Sequence, residues 1–231
     1  MIRANLGIVE IFGPTLQGEG QVIGRKTLFI RFAGCDYACL WCDSAFTWKP
    51  GQIAPVEHLR PHEVLHRLLQ LDPQCRDVTL SGGNPALYDL TELVEQLGAH
   101  GYRLHVETQG SRAPAWLGRV DSVTISPKPP SSGMDTDWAL LQQTVAVSAC
   151  PDLKVVVFDE ADYDYARDLR VRFPNLPFAL QVGNRVGDDD TAALLQKLDW
   201  LAQRALSDPT MQNVRILPQL HVLLWGNRRG V

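Results

Sequence analysis

The chain of 231 residues carries no excess of positive charge and no long apolar run. Its net charge is −4, so no field over the whole molecule attracts nucleic acid or acidic membranes. No stretch of about 18 or more apolar residues is present, which argues against a membrane-spanning helix. The first residues, MIRANLGIVEIFG, show neither the apolar core nor the cleavage site of a secretion signal. We therefore expect a cytoplasmic protein without a direct nucleic-acid or membrane partner.

Cysteine is also scarce, with five residues in the chain, and three of them lie within eight positions. A secreted disulfide scaffold would spread an even set along a short chain, so the odd and clustered set favours a reducing compartment. The phosphate-loop pattern G-x4-G-K-[S/T] and the nucleophile-elbow pattern G-x-S-x-G are both absent. The cysteine cluster therefore remains the feature that indicates chemistry.

Short apolar, β-branched segments alternate with amphipathic ones along the chain. Several of the short segments are almost continuously apolar, which is typical of strands buried on both faces of a parallel sheet. Eight segments predict strands: GIVEIF, TLFIRFAG, DVTLSGG, YRLHVET, SVTIS, LKVVVF, FALQVG and NVRILPQL. Four predict helices: PHEVLHRLLQL, DLTELVEQLGAHG, ADYDYARDLRVRF and DDTAALLQKLDWLAQRAL. The alternation predicts one α/β domain over residues 1–231, a partial (β/α) barrel with a mostly parallel sheet and helices outside.

The cysteine cluster has the spacing C-x3-C-x2-C, at Cys35, Cys39 and Cys42. A structural zinc site closes with four protein ligands, and the isolated Cys75 and Cys150 form no second pair, so zinc would need an aspartate or histidine. A redox C-x2-C pair would leave Cys35 unexplained. Three unrelated buried cysteines would rarely lie this close together. An iron–sulfur cluster normally takes four thiolates. With three, one iron stays open to a ligand that is not protein.

The triplet, with an aromatic residue before its last cysteine, resembles the signature of the radical S-adenosylmethionine (SAM) superfamily. That resemblance implies a [4Fe–4S] cluster whose open iron is chelated by the amino and carboxylate groups of SAM. Reductive cleavage of the sulfonium would then release a 5′-deoxyadenosyl radical. The fold it implies is the partial barrel of the radical SAM type.

Further segments narrow the resemblance to the 7-carboxy-7-deazaguanine synthase family. They are EIFGPTLQGEG, CDSAFTW, SGGNPAL, ETQG, TISPKPPSS, LQVGN and LPQLHVLLWGNRRGV. The family implies conversion of 6-carboxy-5,6,7,8-tetrahydropterin to 7-carboxy-7-deazaguanine with loss of ammonia, on the route to queuosine. SAM would be regenerated and Mg²⁺ would assist. The same resemblance implies a homodimer, an electron donor such as flavodoxin, and N-terminal and C-terminal extensions that bind substrate.

The resemblance also assigns cofactor residues. It places the cluster on Cys35, Cys39 and Cys42, and Mg²⁺ on Ser44, whose hydroxyl is a hard oxygen ligand. Asp43 and Ser44 could instead cap the turn that follows the cysteines. The superfamily more often has glutamate where this chain has Asn84, which lacks the charge to pair with an ammonium. The SAM-binding residues it implies are Trp41, Asp43, Gly83, Ser126, Pro127, Lys128, Gln181, Val182, Gly183 and Asn184.

Residue chemistry and resemblance both contribute to the predicted substrate site. The side chains of Gln17 and Glu19 can match the amide and amidine edge of a pterin. Arg31 lies in an apolar strand on the same side as Phe29, so it needs an anion, either the substrate carboxylate or a structural partner. His221 could join them or be a core histidine. The resemblance implies Leu16, Gln17, Gly18, Glu19, Arg31, Ser81 and the carboxylate of Val231 as substrate-binding groups.

Two other functions remain open at this point. A glycyl-radical activating enzyme shares the cysteine spacing but would have no reason for the LQGEG and SPKPPSS loops. A zinc-stabilised interaction module would need no chemistry at all. His58, His62 and His66 repeat at four-residue spacing, but such neighbours are common on any helix, so we do not place them in the site.

Overall fold

A nine-stranded sheet forms the centre of the computed structural model, which describes residues 5–185, 187 and 190–231. The strand order is β3-β1-β2-β4-β5-β6-β7-β8-β9. The contacts of β1 with β3 and with β2 are antiparallel, and all pairs from β2 to β9 are parallel. The strands are β1 Leu6–Leu16, β2 Lys26–Phe32, β3 Glu57–Leu59, β4 Asp77–Gly82, β5 Arg103–Thr108, β6 Ser122–Ile125, β7 Pro151–Val157, β8 Phe178–Val182 and β9 Val214–Leu217.

In the described part of the chain, five helices lie between strands of the sheet and a sixth follows the last strand. They are α1 Pro61–Leu71, α2 Thr91–Ala99, α3 Trp138–Val147, α4 Glu160–Arg172, α5 Thr191–Leu206 and α6 Leu220–Trp225. Contacts join α2 to β5, α4 to β7, and α5 to β8 and β9. Since β3 and β9 lie at opposite edges of the sheet, the barrel is open, as the sequence predicts. Within the described part of the chain, no helix combines the length and apolar character that a membrane span requires.

The two faces of the parallel sheet differ in chemistry. One face is apolar and packs against the helices, with Leu153, Val155 and Val157 on β7 as an example. On the other face of the same strands the side chains are polar although buried, as at Thr79, Thr124 and Gln181. The sequence correctly predicts burial on both faces but not this difference. The polar face is therefore the one whose side chains can form hydrogen bonds to a ligand.

Most predicted elements are present, and three were missed. The eight predicted strands correspond to β1, β2 and β4–β9, and the four predicted helices to α1, α2, α4 and α5. The prediction starts the last of these at Asp189, outside the described residues. It misses β3, α3 and α6. In α3 the segment WALLQQTVAV is apolar on several sides and so lacks a clear helical period, although Asp137 caps its first turn by accepting from the N–H groups of Ala139 and Leu140.

Candidate functional site

A cavity of about 330 Å³ opens at the carboxyl ends of the parallel strands. This is the end at which α/β sheets collect ligands, since the loops after the strands converge there. Its walls contain groups from the β1–β2 loop, the cysteine segment, the ends of β4 to β8 and the C-terminal segment. The predicted residues that line it are Leu16, Gln17, Gly18, Glu19, Arg31, Cys35, Cys39, Trp41, Cys42, Asp43, Ser44, Ser81, Gly83, Ser126, Lys128, Gln181, Asn184 and His221.

The three clustered cysteines lie together on one wall of this cavity as free thiols. The N–H of Tyr37 and the amide of Gln109 donate to Sγ of Cys35, both at 3.5 Å, and the indole N–H of Trp48 donates to Sγ of Cys42 at 3.3 Å. Burial raises the pKa of Cys35 and Cys39, and it raises the pKa of Cys42 to about 11. The thiols are therefore protonated at neutral pH until a metal centre displaces their protons.

The remaining cysteines do not complete this ligand set. Cys75 is buried near the other end of the sheet, where its thiol is 3.6 Å from the carbonyl oxygen of Asp77, and Cys150 is exposed. Neither lines the cavity. A zinc site closed by a fourth cysteine therefore finds no support in the described residues, whereas a cluster with one open iron fits three thiols that face a cavity.

The cysteine segment is held against the end of β4 by glycine. Gly34 has φ +83°, and its carbonyl oxygen accepts from the N–H of Asn84 at 2.9 Å. A Cβ added at Gly83 would lie 1.8 Å from that same oxygen. The sequence predicts a close backbone approach at Gly83, and the structure locates it between this glycine and the cysteine segment.

Asn84 itself turns away from the cavity. Its amide oxygen accepts from the hydroxyl of Thr108 at 2.9 Å and from the N–H of Ala86 at 3.1 Å. Its amide group donates to the carboxylate of Asp36 at 2.9 Å. The oxygen that could have accepted from an ammonium is thus already satisfied, and Asn84 connects the loops after β4 and β5.

The predicted SAM-binding residues divide between cavity lining and scaffold. Nζ of Lys128 donates to the carbonyl oxygen and the hydroxyl of Ser126, at 2.9 and 3.2 Å. Gln181 is fully buried, and both polar atoms of its amide lack a partner among the described residues. An unpaired buried amide at a cavity wall is chemically suited to a polar ligand. Pro127, Val182 and Gly183 are not in the lining.

A polar network spans the opposite wall. Glu19 accepts from the ammonium of Lys154 and from the amide of Gln219, the latter at 2.7 Å. Burial would raise the pKa of Glu19, but Lys154 and the other nearby donors lower it more strongly and hold it well below its usual range. Glu107 accepts from the hydroxyl of Ser81 at 2.8 Å and from the amide of Gln17 at 3.2 Å. Two acceptors and several donors therefore face the cavity from this side.

Arg31 has the structural partner that was one of the two alternatives left open by the sequence, and it also lies at the cavity. Its Nε lies 2.8 Å from the carboxylate of Glu10, so a structural ion pair is present. The guanidinium also lines the cavity, and it lies 5.6 Å from the ring centroid of Phe29 and 5.8 Å from that of Phe46. The aromatic rings lie beside the guanidinium, so the edge of the guanidinium plane that faces the cavity can bond a planar anion.

Oxygen ligands for a hard cation lie beside the cysteines. The hydroxyl of Ser44 donates to the carboxylate of Asp43 at 2.9 Å and is 3.4 Å from a guanidinium nitrogen of Arg31. Donor atoms of Glu19, Asp43 and His221 also lie within 4.8 Å of one another. The Glu19 carboxylate in that second group is already neutralised by Lys154, so the group is suited to polar recognition.

The β1–β2 loop and the helix α6 meet at the cavity. A Cβ at Gly18 would lie 2.0 Å from Nδ1 of His221, and the carbonyl of Gly18 accepts from the N–H of Leu220 at 2.9 Å. His221 therefore lies against the β1–β2 loop. Farther along, Asn227, Arg228 and Arg229 line the cavity, whereas Val231 does not.

Sequence reasoning missed several polar residues of the site, chiefly Glu107, Lys154 and Gln219. A signal was available for one of them. Lys154 is a charged residue inside the otherwise apolar strand segment LKVVVF, the same feature that identified Arg31. Glu107 lies in YRLHVET, where Arg103 and His105 are also polar, so its charge does not stand out. Gln219 carried no comparable signal. The sequence predicts a strand over its segment, NVRILPQL, and does not predict the helix that follows. The exposed His58, His62 and His66 lie outside the cavity, consistent with their omission.

An open β/α sheet with three clustered thiols at the carboxyl end of its strands defines a radical SAM protein. The sequence profile of the Radical SAM superfamily matches residues 29–127. The chain is 46% identical to a 7-carboxy-7-deazaguanine synthase of Bacillus cereus, covering 99% of this chain and 100% of the relative. It is 44% identical to the enzyme of that name from Bacillus subtilis, covering 97% and 98%. The chain belongs to the 7-carboxy-7-deazaguanine synthase family and is a radical SAM enzyme of 7-deazapurine biosynthesis.

The fold comparison agrees. The crystal structure of QueE from Escherichia coli superposes with a TM-score of 0.70 over 94% of this chain and 95% of that chain, at 24% identity. Streptococcus suis SuiB superposes with a TM-score of 0.57 over 84% of this chain and 49% of that chain, at 14% identity. The predicted resemblance, fold class and enzyme class are therefore confirmed. Membership of the superfamily implies a [4Fe–4S] cluster and SAM as cofactors, and a small-molecule substrate.

Proposed function

We propose that this chain converts 6-carboxy-5,6,7,8-tetrahydropterin to 7-carboxy-7-deazaguanine with loss of ammonia. The observation that carries the proposal is one cavity in which three clustered thiols face both an arginine and a wall of paired carboxylates and amides. The pterin has a carboxylate at one end and an amide and amidine edge at the other. The two kinds of polar group in the cavity complement these two ends.

The cluster belongs on Cys35, Cys39 and Cys42 in this proposal, and SAM lies beside it. The donor set supports it, because three N–H groups already point at the cysteine sulfurs, as is common around thiolates of iron–sulfur clusters. When bound, the cluster and SAM supply the 5′-deoxyadenosyl radical that abstracts hydrogen from the substrate. The chain's own residues bind the reactants, orient them and exclude water.

The SAM site in this proposal comprises Trp41, Asp43, Gly83, Ser126, Lys128, Gln181 and Asn184. The unpaired amide of Gln181 supports it, since that group gains both missing hydrogen bonds from a polar ligand. Pro127, Val182 and Gly183 would contribute through the backbone of the same segments. Lys128 holds the end of β6 by bonding Ser126, so it also fixes the loop on which the nucleoside would rest.

In this proposal the substrate-binding residues are Leu16, Gln17, Gly18, Glu19, Arg31 and Ser81. Arg31 can form a bidentate contact with the pterin carboxylate. An ionised Glu19 accepts from the N–H groups of the amidine edge, and Gln17 connects it to Glu107. Val231 would join them only after the last residues of the chain move toward the cavity.

Mg²⁺ completes the site on the hydroxyl of Ser44, with Asp43 next to it. The close pairing of these two oxygen groups supports the assignment, because Mg²⁺ takes one or two protein oxygens and keeps several waters. Its role would be to orient the substrate carboxylate.

The remaining features of the proposal concern the whole protein. It is a single domain over residues 1–231, acting as a homodimer in a reducing cytoplasm, with an electron carrier such as flavodoxin as donor. Five free cysteines support the reducing compartment. Leu40, which is 82% exposed between two of the clustered cysteines, gives the donor an apolar contact near the cluster.

Anaerobic incubation with SAM, a reductant and the carboxylated pterin tests the proposal. We expect the ultraviolet chromophore of a deazaguanine to appear, with SAM recovered at the end. A reconstituted protein that cleaves SAM reductively but leaves the pterin unchanged would contradict the proposed substrate. A protein that holds zinc and no iron after anaerobic purification would contradict the proposed chemistry.

A further inference from the structure

A buried lysine lies in the wall of the cavity. Lys154 belongs to β7, within the apolar segment LKVVVF, and its side chain is 7% exposed. Its ammonium donates to the carboxylate of Glu19, which is 135 residues away in the chain. Both side chains line the cavity. Burial of an ammonium costs free energy unless the group is paired with an anion. The position of Lys154 in this strand therefore indicates a role other than packing.

The groups around the pair define its charge balance. Gln219 and His221, from the α6 region, and Asp43, from the cysteine segment, approach Glu19. Glu107, on β5, faces Lys154. Burial would lower the pKa of Lys154, but Glu19 and Glu107 raise it above its usual value. The lysine is therefore a fixed, compact positive charge among carboxylates.

We propose that Lys154 is a positioning residue that fixes Glu19 toward the cavity as an ionised group. A carboxylate only accepts hydrogen bonds, whereas a protonated carboxyl also donates one. Glu19 held in this form selects a ligand edge that presents adjacent N–H donors, such as the amidine edge of the pterin. It disfavours an edge that presents acceptors. This role rests on the proposed function, since the selected ligand is the pterin.

The interactions of Glu19 show why the lysine is needed. Without Lys154, the hydrogen bond from Gln219 would remain, but burial would favour the protonated carboxyl. A protonated Glu19 would present a hydrogen toward the N–H donors of the pterin. Recognition would then depend on a proton that must be lost each time the ligand binds.

The variant Lys154→Met tests the role, because methionine keeps the length of the side chain without its charge. We expect KM for the pterin to rise about 10-fold or more, which is the effect of losing one charge-assisted contact. The iron content should stay unchanged and KM for SAM should change less than KM for the pterin, since Lys154 is hydrogen-bonded to Glu19 and acts on Asp43 of the SAM site only through its charge. The affinity of the pterin for the anaerobically reconstituted protein, measured by calorimetry, should fall by the same factor.

Arg215→Met is the matched control. Arg215 pairs with the buried carboxylate of Asp152, two residues before Lys154 on β7, and it does not line the cavity. Loss of this pair should lower the thermal midpoint while leaving KM for the pterin as it is. If both variants raise KM for the pterin equally, the effect of Lys154 is structural and the proposal is overturned.

A double variant tests the connection to Glu19. In a Glu19→Gln background, adding Lys154→Met should change KM for the pterin by less than about twofold, because the group that Lys154 positions is already neutral. A further rise as large as that of the single variant would show that Lys154 acts independently of Glu19. That outcome overturns the proposal, as does a Lys154→Met protein whose KM for the pterin matches that of the unaltered protein.

Infrared spectroscopy separates this role from the substrate assignment. Lys154→Met should show a protonated-carboxyl band at neutral pH that disappears when Glu19→Gln is added. The absence of such a band overturns the role of Lys154 whatever the substrate. An unaltered protein that binds no pterin, together with the presence of the band, contradicts the proposed substrate while supporting the ionising role.

Discussion

Arg31 shows how one residue can be both a structural and a binding group. Its guanidinium pairs with Glu10, contacts aromatic rings on its sides and still reaches the cavity. A planar, forked cation can bond two partners at different edges, which an ammonium cannot do with fixed geometry. Arg31 is therefore suited to hold a planar carboxylate in a defined orientation.

Replacement of Arg31 by lysine tests whether this residue binds the pterin carboxylate. Arg31→Lys keeps the charge but loses the bidentate contact, which costs about 1.5–3 kcal/mol, or roughly 10- to 150-fold in KM for the pterin. Steady-state kinetics at saturating SAM measure this change. Arg67→Lys is the control, because Arg67 pairs with Glu57 on the surface, where the contribution is small. Equal KM values for Arg31→Lys and the unaltered protein would contradict a role for Arg31 in binding the carboxylate.

At the scale of elements, α6 is the part of the site that connects the C-terminal segment to the β1–β2 loop. This short helix places His221 against Gly18, so close that any side chain at that glycine would collide with the imidazole. The contact fixes the β1–β2 loop, which contains Gln17 and Glu19. The geometry of the substrate wall therefore depends on this glycine.

Gly18→Ala should disturb that wall. A Cβ 2.0 Å from the imidazole forces His221 and the loop apart, and overpacking of this kind costs about 1–3 kcal/mol. We expect a lower thermal midpoint and a higher KM for the pterin with an unchanged KM for SAM. Gly98→Ala in α2 is the matched control, because nothing lies within 4 Å of the added Cβ there. It should raise stability by about 0.5–1 kcal/mol. Gly18→Ala kinetics identical to those of the control would contradict the contact.

At the scale of the whole molecule, the sheet has two polar ends with different functions. One end holds the cavity. At the other, the buried carboxylate of Asp77 accepts from Arg103 and His105, both at 2.9 Å, and from Arg25 at 3.2 Å. These contacts join β4 to β5 and to the segment before β2, so they connect neighbouring parts of the sheet away from the cavity.

Asp77 predicts how stability depends on pH. Burial alone would raise its pKa, but hydrogen bonds from Arg103 and His105 lower it from 3.8 to about 2. A carboxyl whose folded-state pKa is depressed stabilises the protein above the unfolded-state value and loses that contribution as pH falls toward the folded-state value. Its contribution should therefore be lost between pH 3.8 and about 2.

Asp77→Asn should reduce the free energy of unfolding at pH 7 by about 1–3 kcal/mol. The difference in free energy of unfolding from the unaltered protein should shrink at pH 3. Urea titration at pH 7 and at pH 3 measures this difference at each pH. Asp164→Asn serves as the control, since Asp164 is 64% exposed and its pair with Arg167 contributes little. A difference that stays constant between pH 7 and pH 3 would contradict the ionised network.

The sequence predicted the parts of this molecule that depend on local pattern. The cysteine spacing and the eight strand segments each follow from neighbouring residues, and the strand ends did converge on one cavity. The pairing of Lys154 with Glu19 could not be predicted, because it depends on strand order and on which face of β7 the lysine occupies. The same holds for Gly18 and His221, which are brought together by a helix of six residues that the sequence analysis did not predict.

The central claim is that three thiolates leave one iron open and that SAM occupies it. Electron paramagnetic resonance of the reduced, anaerobically reconstituted protein tests this most directly, with spectra recorded before and after SAM is added. The account predicts that SAM changes the signal of the cluster and that removal of SAM restores the first spectrum. A signal that is identical with and without saturating SAM would contradict it, because the iron would then already have its full set of ligands.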